Sequence, residues 1–265
     1  MRGIDRPELI GWRGGTAHHN GSGVRTGIMR CGQCTHMYPN PMPFPIEGLD
    51  ALYVETESYF AGHDVAQKKR VDREQLRRFE GELGRRGRFL DIGCGHGEYL
   101  WAAREEGWEY EGIDASHTFI EWSREHLGVE GRHGVLEDML FTDDYFDAIT
   151  MGGVLEHLYD PYQTLSEVHR ILRPSGLLWF DVPNEGGLYM RVGNLYMKCL
   201  GRDWCVNLAQ TFPPYHVLGF TPASLRPCWR ASAWKWCNSK LRARSGRSRV
   251  SHRCASAWNT PPRRS

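Results

Sequence analysis

The stretch FLDIGCGHGEYL, residues 89–100, decides the fold of this chain. It begins with apolar residues typical of a buried strand, continues through glycines at three alternate positions, and ends in a helix-forming segment. Glycine is favoured where the backbone takes positive φ or where a ligand approaches closely. A turn of this kind that leads into a helix directs free N–H groups toward a ligand. The stretch therefore predicts a cofactor site at Gly93, Gly95 and Gly97, with the Asp91 carboxylate beside it.

The spacing of these glycines argues against two common nucleotide motifs. A dinucleotide fingerprint requires a third glycine where this chain has Glu98. A P-loop requires a Gly-Lys-Ser/Thr sequence, and no lysine follows the turn here. From residue 88 onward, strand and helix patterns alternate, which is typical of a parallel sheet covered on both faces. The predicted strands are 89–92, 109–114, 131–136, 146–151 and 177–183, and the predicted helices are 64–83, 98–106, 117–127 and 162–172.

The order of these segments resembles the class I S-adenosylmethionine (SAM)-dependent methyltransferases. The resemblance rests on DIGCGHG, GID, FDAIT, GVLEHLYDP and LRPSGLLWFDVPN, and it extends over roughly residues 30–226. The segment RCGQC…YPNP…LDALY…SYF is similar to the front end of a bacterial subgroup with a cysteine knuckle before the catalytic domain. The resemblance implies an α/β fold with a Rossmann-like, doubly wound, mostly parallel sheet, and SAM as the cofactor.

The resemblance also implies further cofactor-binding residues. Asp114, at the end of the second strand, would accept both ribose hydroxyls, with Ala115 next to it; the alternative is a carboxylate that only caps the following helix. Val135 and Leu136 would flank the adenine, and Met151 would lie at the end of the fourth strand.

Two histidines are candidates for the catalytic residues. His157 follows the fourth strand on the rim where the acceptor must lie, and His216 resembles a residue that borders the acceptor pocket in relatives. An imidazole has a pKa suited to a general base near neutral pH, although either residue can equally be structural. Some relatives bind a divalent ion through E-x-x-E-H. This chain has Gly153 at the first glutamate, and we therefore predict no catalytic metal.

Cys31 and Cys34 form a C-x-x-C pair, which is half of a zinc site. His18 and His19 are the alternative source of the other two ligands, but a knuckle without metal is the favoured interpretation.

Composition sets apart an irregular N-terminal segment over 1–48 and a basic tail over 227–265, and the resemblance implies a methyltransferase domain over 49–226 between them. A short helix is predicted over 49–60. No apolar run reaches ~18 residues, and no secretory signal pattern is present, so we predict a cytoplasmic protein with reduced cysteines and without a membrane partner.

The tail contains ten basic residues and no acidic residue, whereas 1–226 holds all 32 acidic residues of the chain. We interpret the tail as disordered, from a truncated or frame-shifted reading, with the last strands of the fold missing. The predicted function is methyl transfer to the O, N or C atom of a small-molecule acceptor. The alternatives are an RNA methyltransferase that uses the basic tail, although we do not expect a nucleic-acid partner, and a non-catalytic remnant. The sequence does not predict the oligomeric state.

Overall fold

A computed structural model describes residues 7–14, 25–42, 64–208, 216–225, 234–244 and 247–256. Its main element is a seven-stranded sheet with the strand order β6-β5-β4-β7-β8-β10-β9. The strands β4 to β8 pair in parallel, while β10 is antiparallel to both β8 and β9. The bounds of these strands are β4 Arg88–Ile92, β5 Glu109–Asp114, β6 Arg132–His133, β7 Phe146–Gly152, β8 Leu172–Pro183, β9 Trp234–Arg244 and β10 Arg247–Ser256.

The helices that accompany the sheet include α1 Val65–Leu83, α2 Glu98–Glu105, α3 His117–Leu127, α4 Pro161–Ile171 and α5 Leu188–Cys199, and residues 222–225 are also helical. Their ends follow local capping chemistry. Ser116 accepts a hydrogen bond from the Phe119 N–H at the start of α3, and Asp160 caps α4 with Pro161 in its first turn. Serine and aspartate are favoured at N-caps because their side-chain oxygens accept the free N–H groups of the first turn.

The sheet is covered on both faces, because successive side chains of a strand point to opposite sides. In β4, Leu90 belongs to the cluster that includes Val168 of α4, whereas Phe89 packs with Phe79 of α1 and Ala102 of α2. Strand order reverses at β4, which has β5 on one side and β7 on the other. In such sheets ligands bind beyond the carboxyl ends of the strands at this reversal point. The doubly wound α/β prediction is confirmed.

The N-terminal segment corrects the sequence prediction of an irregular region over 1–48. Three antiparallel strands form a separate small sheet in the order β1-β2-β3. Their bounds are β1 Glu8–Gly14, β2 Arg25–Arg30 and β3 Met37–Asn40. Glycine and arginine interrupt the alternation of apolar and polar residues that would predict strands in the sequence. β1 and β2 nevertheless pair, because strand pairing uses the backbone N–H and C=O groups. The predicted helix over 49–60 lies outside the described residues.

The C-terminal tail also differs from its prediction. Residues 234–256 contain an antiparallel hairpin, β9 and β10, and β10 pairs with β8 from Arg249 opposite Pro183 to Ala255 opposite Leu177. The prediction that the last strands are missing is therefore wrong for these residues. The free edge of β8 presents unpaired backbone donors and acceptors, which pair with an extended segment of almost any composition.

Two further elements differ from the sequence-based assignment. The third predicted strand, 131–136, is reduced to β6 and a 3₁₀ turn at Leu136–Asp138, because positive φ at Gly134 interrupts the extended backbone. Helix α5 was not predicted, although its sequence LYMRVGNLYMKC contains no proline. No helix in the described ranges is long and apolar enough to cross a membrane.

Candidate functional site

The glycine turn that follows β4 has the backbone predicted from its sequence. Gly93, Gly95 and Gly97 take φ values of 71°, 52° and 79°. A Cβ at Gly93 would lie 2.4 Å from Cγ2 of Val154, and a Cβ at Gly97 would lie 2.9 Å from Cβ of Ser123. Both φ and space therefore require glycine at the first and third positions.

Asp114 holds the turn from the neighbouring strand. One oxygen, Oδ2, accepts the Gly95 N–H at 2.8 Å, and the other, Oδ1, accepts the Ser116 N–H at 2.8 Å. Burial raises the pKa of Asp114 to about 6, against the lowering effect of the N–H groups of Ser116 and Gly95 and of the nearby His133. This carboxylate is oriented by backbone donors and retains lone pairs for a ligand at the end of β5.

Asp91 is a second buried carboxyl group at the end of β4. The Thr150 hydroxyl of β7 donates a 2.6 Å hydrogen bond to its Oδ1 atom. Burial raises the pKa of Asp91 to about 8, and the Thr150 hydrogen bond and Lys68 offset only part of this effect. The buried position therefore disfavours the ionised form of the Asp91 carboxyl group.

Helix α1 adds charged residues that the sequence analysis missed. The Lys68 ammonium pairs with Asp72 and lies 4.3 Å from the centre of the Tyr99 ring. Burial lowers the pKa of Lys68, but Asp72, Asp91 and Glu98 outweigh it and leave the pKa raised. The sequence signal was the spacing of Lys68 and Asp72, which lie four residues apart on the side of the helix that also carries its buried apolar residues.

The remaining predicted cofactor residues fall into two groups. Ala115 and Val135 are half-buried beyond β5 and β6. Leu136 and Met151 are 2% and 0% exposed and belong to the hydrophobic core. The side chains of these last two residues therefore pack the sheet in this structure.

The two predicted catalytic histidines lie together beyond β7 and β8. His157 ends the 3₁₀ turn Leu155–His157, and its ring centre is 4.9 Å from that of His216. The Glu156 carbonyl accepts the N–H groups of Val217 and Leu218 at 2.8 and 3.1 Å, which ties the His216 segment to this turn. The Glu156 carboxylate approaches Nε2 of His216 at 3.9 Å. Tertiary structure thus joins residues about 60 positions apart in the sequence.

These same residues are the one grouping of three potential metal ligands found among the described residues. One ligand atom from each of Glu156, His157 and His216 lies within 4.8 Å of the other two. The sequence argument against a metal rested on Gly153 at the position of the first glutamate, which leaves Glu156 and His157 of the motif. The structure places a second histidine, His216, beside them, so that argument no longer holds. Two imidazoles and a carboxylate form a donor set suited to Zn²⁺ or Mn²⁺.

The cysteine knuckle forms a tight turn between β2 and β3. The Thr35 N–H donates to the Cys31 carbonyl and the Cys31 N–H donates to the His36 carbonyl, both at 2.9 Å. Cys31 and Cys34 are half-buried and not joined by a disulfide, and burial raises the pKa of the Cys34 thiol. In the part of the chain that the structure describes, no third and fourth ligand join them. His18 and His19 lie outside that part.

Comparison with known proteins agrees with this geometry. Residues 90–180 match the family model described as a methyltransferase domain. The similarity to a methyltransferase domain therefore concerns these residues, which are about a third of the chain. The matched region includes the glycine turn, Asp114 and His157.

Two curated relatives match part of this chain. A ubiquinone biosynthesis O-methyltransferase from Maricaulis maris is 33% identical over 97 residues, which cover 34% of this chain and 38% of that protein. A demethylmenaquinone methyltransferase from Lysinibacillus sphaericus is 31% identical over 96 residues, covering 34% of this chain and 41% of that protein. The match to each of these two relatives thus spans less than half of the relative's length.

Two solved structures share the fold over most of the chain. A Burkholderia thailandensis 1,6-didemethyltoxoflavin-N1-methyltransferase, solved with bound 1,6-didemethyltoxoflavin and S-adenosylhomocysteine, has a TM-score of 0.57 at 18% identity, covering 96% of this chain and 100% of that structure. The PH0226 protein of Pyrococcus horikoshii has a TM-score of 0.58 at 16% identity, covering 79% and 100%. At these identities the likeness concerns the fold of the methyltransferase domain.

Proposed function

We propose that this chain transfers a methyl group from SAM to an oxygen, nitrogen or carbon atom of a small-molecule acceptor. The observation that carries the proposal is the Asp114 carboxylate, held by the Gly95 N–H beside a turn of three glycines at the start of α2. This arrangement offers a carboxylate for a sugar diol and a backbone without side chains for close approach. Two relatives, a ubiquinone biosynthesis O-methyltransferase and a demethylmenaquinone methyltransferase, support a small organic acceptor.

Bound SAM would supply a methyl group on a sulfonium, which is transferred by in-line displacement. The protein must then align the acceptor and, for a hydroxyl, remove its proton. In the proposal, His157 and His216 border the acceptor and one of them takes this proton. The Glu156 carboxylate, 3.9 Å from Nε2 of His216, stabilises the imidazolium that results. A divalent ion on these three side chains would instead bind the acceptor oxygen directly.

The seven-stranded sheet weakens the alternative of a non-catalytic remnant. That alternative rested on missing final strands, and β9 and β10 supply two strands at the edge of β8. The remaining alternative, an RNA acceptor, predicts binding that weakens steeply with salt.

The first test measures the binding affinity for the cofactor product. Calorimetric titration of S-adenosylhomocysteine into the full chain should show micromolar binding, and Asp114→Ala should weaken it by ~100-fold or more, as expected for a lost charge-assisted contact. Asp143→Ala, at an exposed carboxylate far from the turn in sequence, is the matched control and should bind normally. A folded chain that takes up no cofactor would contradict the proposal.

The second test measures the rate of methyl transfer to candidate acceptors. With radiolabelled SAM and a panel of catechols and hydroxyquinones, His157→Ala or His216→Ala should lower kcat by ~10²-fold or more while cofactor affinity is retained. His169→Ala on α4 is the matched control. Addition of a chelator and then of Zn²⁺ or Mn²⁺ distinguishes a histidine base from a metal-assisted reaction.

A further inference from the structure

Helix α5 carries most of the exposed apolar surface described in this protein. Nine large hydrophobic residues of the described chain are strongly exposed, and six of them lie between positions 188 and 200. Leu188 is 74% exposed and Leu195 is 62% exposed. The other four are Tyr189, Val192, Tyr196 and Leu200. Apolar patches of this kind mark interaction surfaces when they are contiguous, and the spacing of these residues places them on one side of a helix.

Contacts on the side of α5 opposite these exposed residues fix the orientation of the helix about its axis. Met190 is buried, and the Asn194 side chain accepts a hydrogen bond from the Val206 N–H at 2.8 Å and donates one to Oδ1 of Asn207 at 2.6 Å. A Cβ at Gly193 would lie 2.7 Å from Val206, so the helix is packed closely on this side. The apolar stripe therefore faces outward because the inner side is already occupied.

Charge along the helix has one sign. Arg191 and Lys198 are exposed and, at 100° per residue, lie beside the apolar stripe on the same flank. Arg202 follows the end of the helix, and no acidic residue occurs between Gly186 and Arg202. An amphipathic helix with an aromatic and aliphatic face bordered by cations has the composition of a segment that lies in the interface of a lipid bilayer.

We infer that α5 docks this protein on the surface of an anionic membrane. The apolar stripe would enter the headgroup region while Arg191 and Lys198 contact anionic lipid headgroups. An antiparallel pair of copies joined through this face would bring the two cationic flanks together, which disfavours that dimer as the occupant. A helix of 12 residues is ~18 Å long, shorter than the ~30 Å hydrocarbon core, so α5 would lie along the membrane. This inference is independent of the proposed methyl transfer.

The test is sedimentation of the full chain with sucrose-loaded vesicles. One vesicle is pure phosphatidylcholine, and the other is an equimolar mixture of phosphatidylcholine and phosphatidylglycerol. The protein should bind the anionic vesicle strongly and the neutral vesicle weakly. The double variant Val192→Asn with Leu195→Asn should lower the partition coefficient by at least ~10-fold, and Arg191→Gln with Lys198→Gln should lower it by ~5-fold for each charge.

Matched controls separate the helix from the general charge of the chain. Leu140→Asn removes an apolar residue that is 85% exposed elsewhere, and Arg70→Gln with Arg124→Gln removes two exposed cations elsewhere. These variants should bind as the unaltered chain does. Three results would overturn the inference. The first is equal binding to both vesicles, and the second is binding that the α5 variants leave unchanged. The third is a dimer, detected by light scattering, that the α5 variants dissociate.

Discussion

At the scale of single residues, Asp114 couples cofactor binding to pH. Its pKa is raised from 3.8 to about 6 in the folded chain, so ionisation costs the folded protein free energy as pH rises through this range. The ionised form is the one that accepts the N–H groups of Gly95 and Ser116 and retains lone pairs for a ribose. We therefore expect the affinity for S-adenosylhomocysteine to fall by about tenfold per pH unit below about pH 6.

Calorimetry across this pH range measures the effect. Asp114→Asn should bind more weakly at neutral pH and should lose the pH dependence, because an amide does not titrate there. If Asp114→Asn retained the same pH profile, another group would be responsible.

At the scale of elements, the hairpin β9–β10 stabilises the sheet through the edge of β8. β10 pairs with β8 over seven residue pairs, from Leu177 to Pro183. Deleting residues 227–265 exposes this row of backbone donors and acceptors, which is a template for aggregation. We expect the shortened chain to melt at least ~10 °C lower and to aggregate on concentration.

Differential scanning fluorimetry and light scattering measure both effects. Deletion of 257–265 alone, beyond β10, is the matched control and should leave melting and solubility unchanged. A fully stable, monomeric chain after the longer deletion would show that the hairpin does not support the sheet.

At the scale of the whole molecule, a polar network joins the N-terminal sheet to the segments that follow β8 and α5. Asn207 donates to the carbonyl and to Oε2 of Glu185 at 2.8 and 2.9 Å, and the Arg13 guanidinium of β1 donates to the carbonyls of Asn207 and Val206. Cys205 and Leu208 pack with Ile28 and Met37 of the small sheet in one cluster; both lie in the segment that carries Asn207.

Removing Asn207 should loosen this junction. Asn207→Ala leaves Glu185 buried with fewer donors, and we expect the free energy of unfolding to fall by ~2 kcal/mol. Urea denaturation measures this change, with Gln163→Ala, on the exposed side of α4, as the matched control. The prediction fails if the two variants unfold at the same urea concentration as the unaltered chain.

The sequence alone predicted the elements whose pattern is local. The glycine turn at 93–97, the strands β4, β5, β7 and β8, and the N-caps at Ser116 and Asp160 follow from backbone freedom, apolar periodicity and capping chemistry within a few residues. The prediction of a doubly wound sheet, with its site beyond the strand ends, followed from the order of these elements.

Tertiary structure decided what depends on distant partners. The small sheet and the hairpin β9–β10 form by backbone pairing with strands already in place, so their polar sequences carried little signal. Glu156, His157 and His216 become neighbours only when the chain returns along the ends of β7 and β8. The raised pKa values of Asp91 and Asp114 come from burial, which the surrounding fold creates. Sequence patterns report local conformation, whereas contacts, desolvation and exposed faces such as that of α5 are properties of the packed molecule.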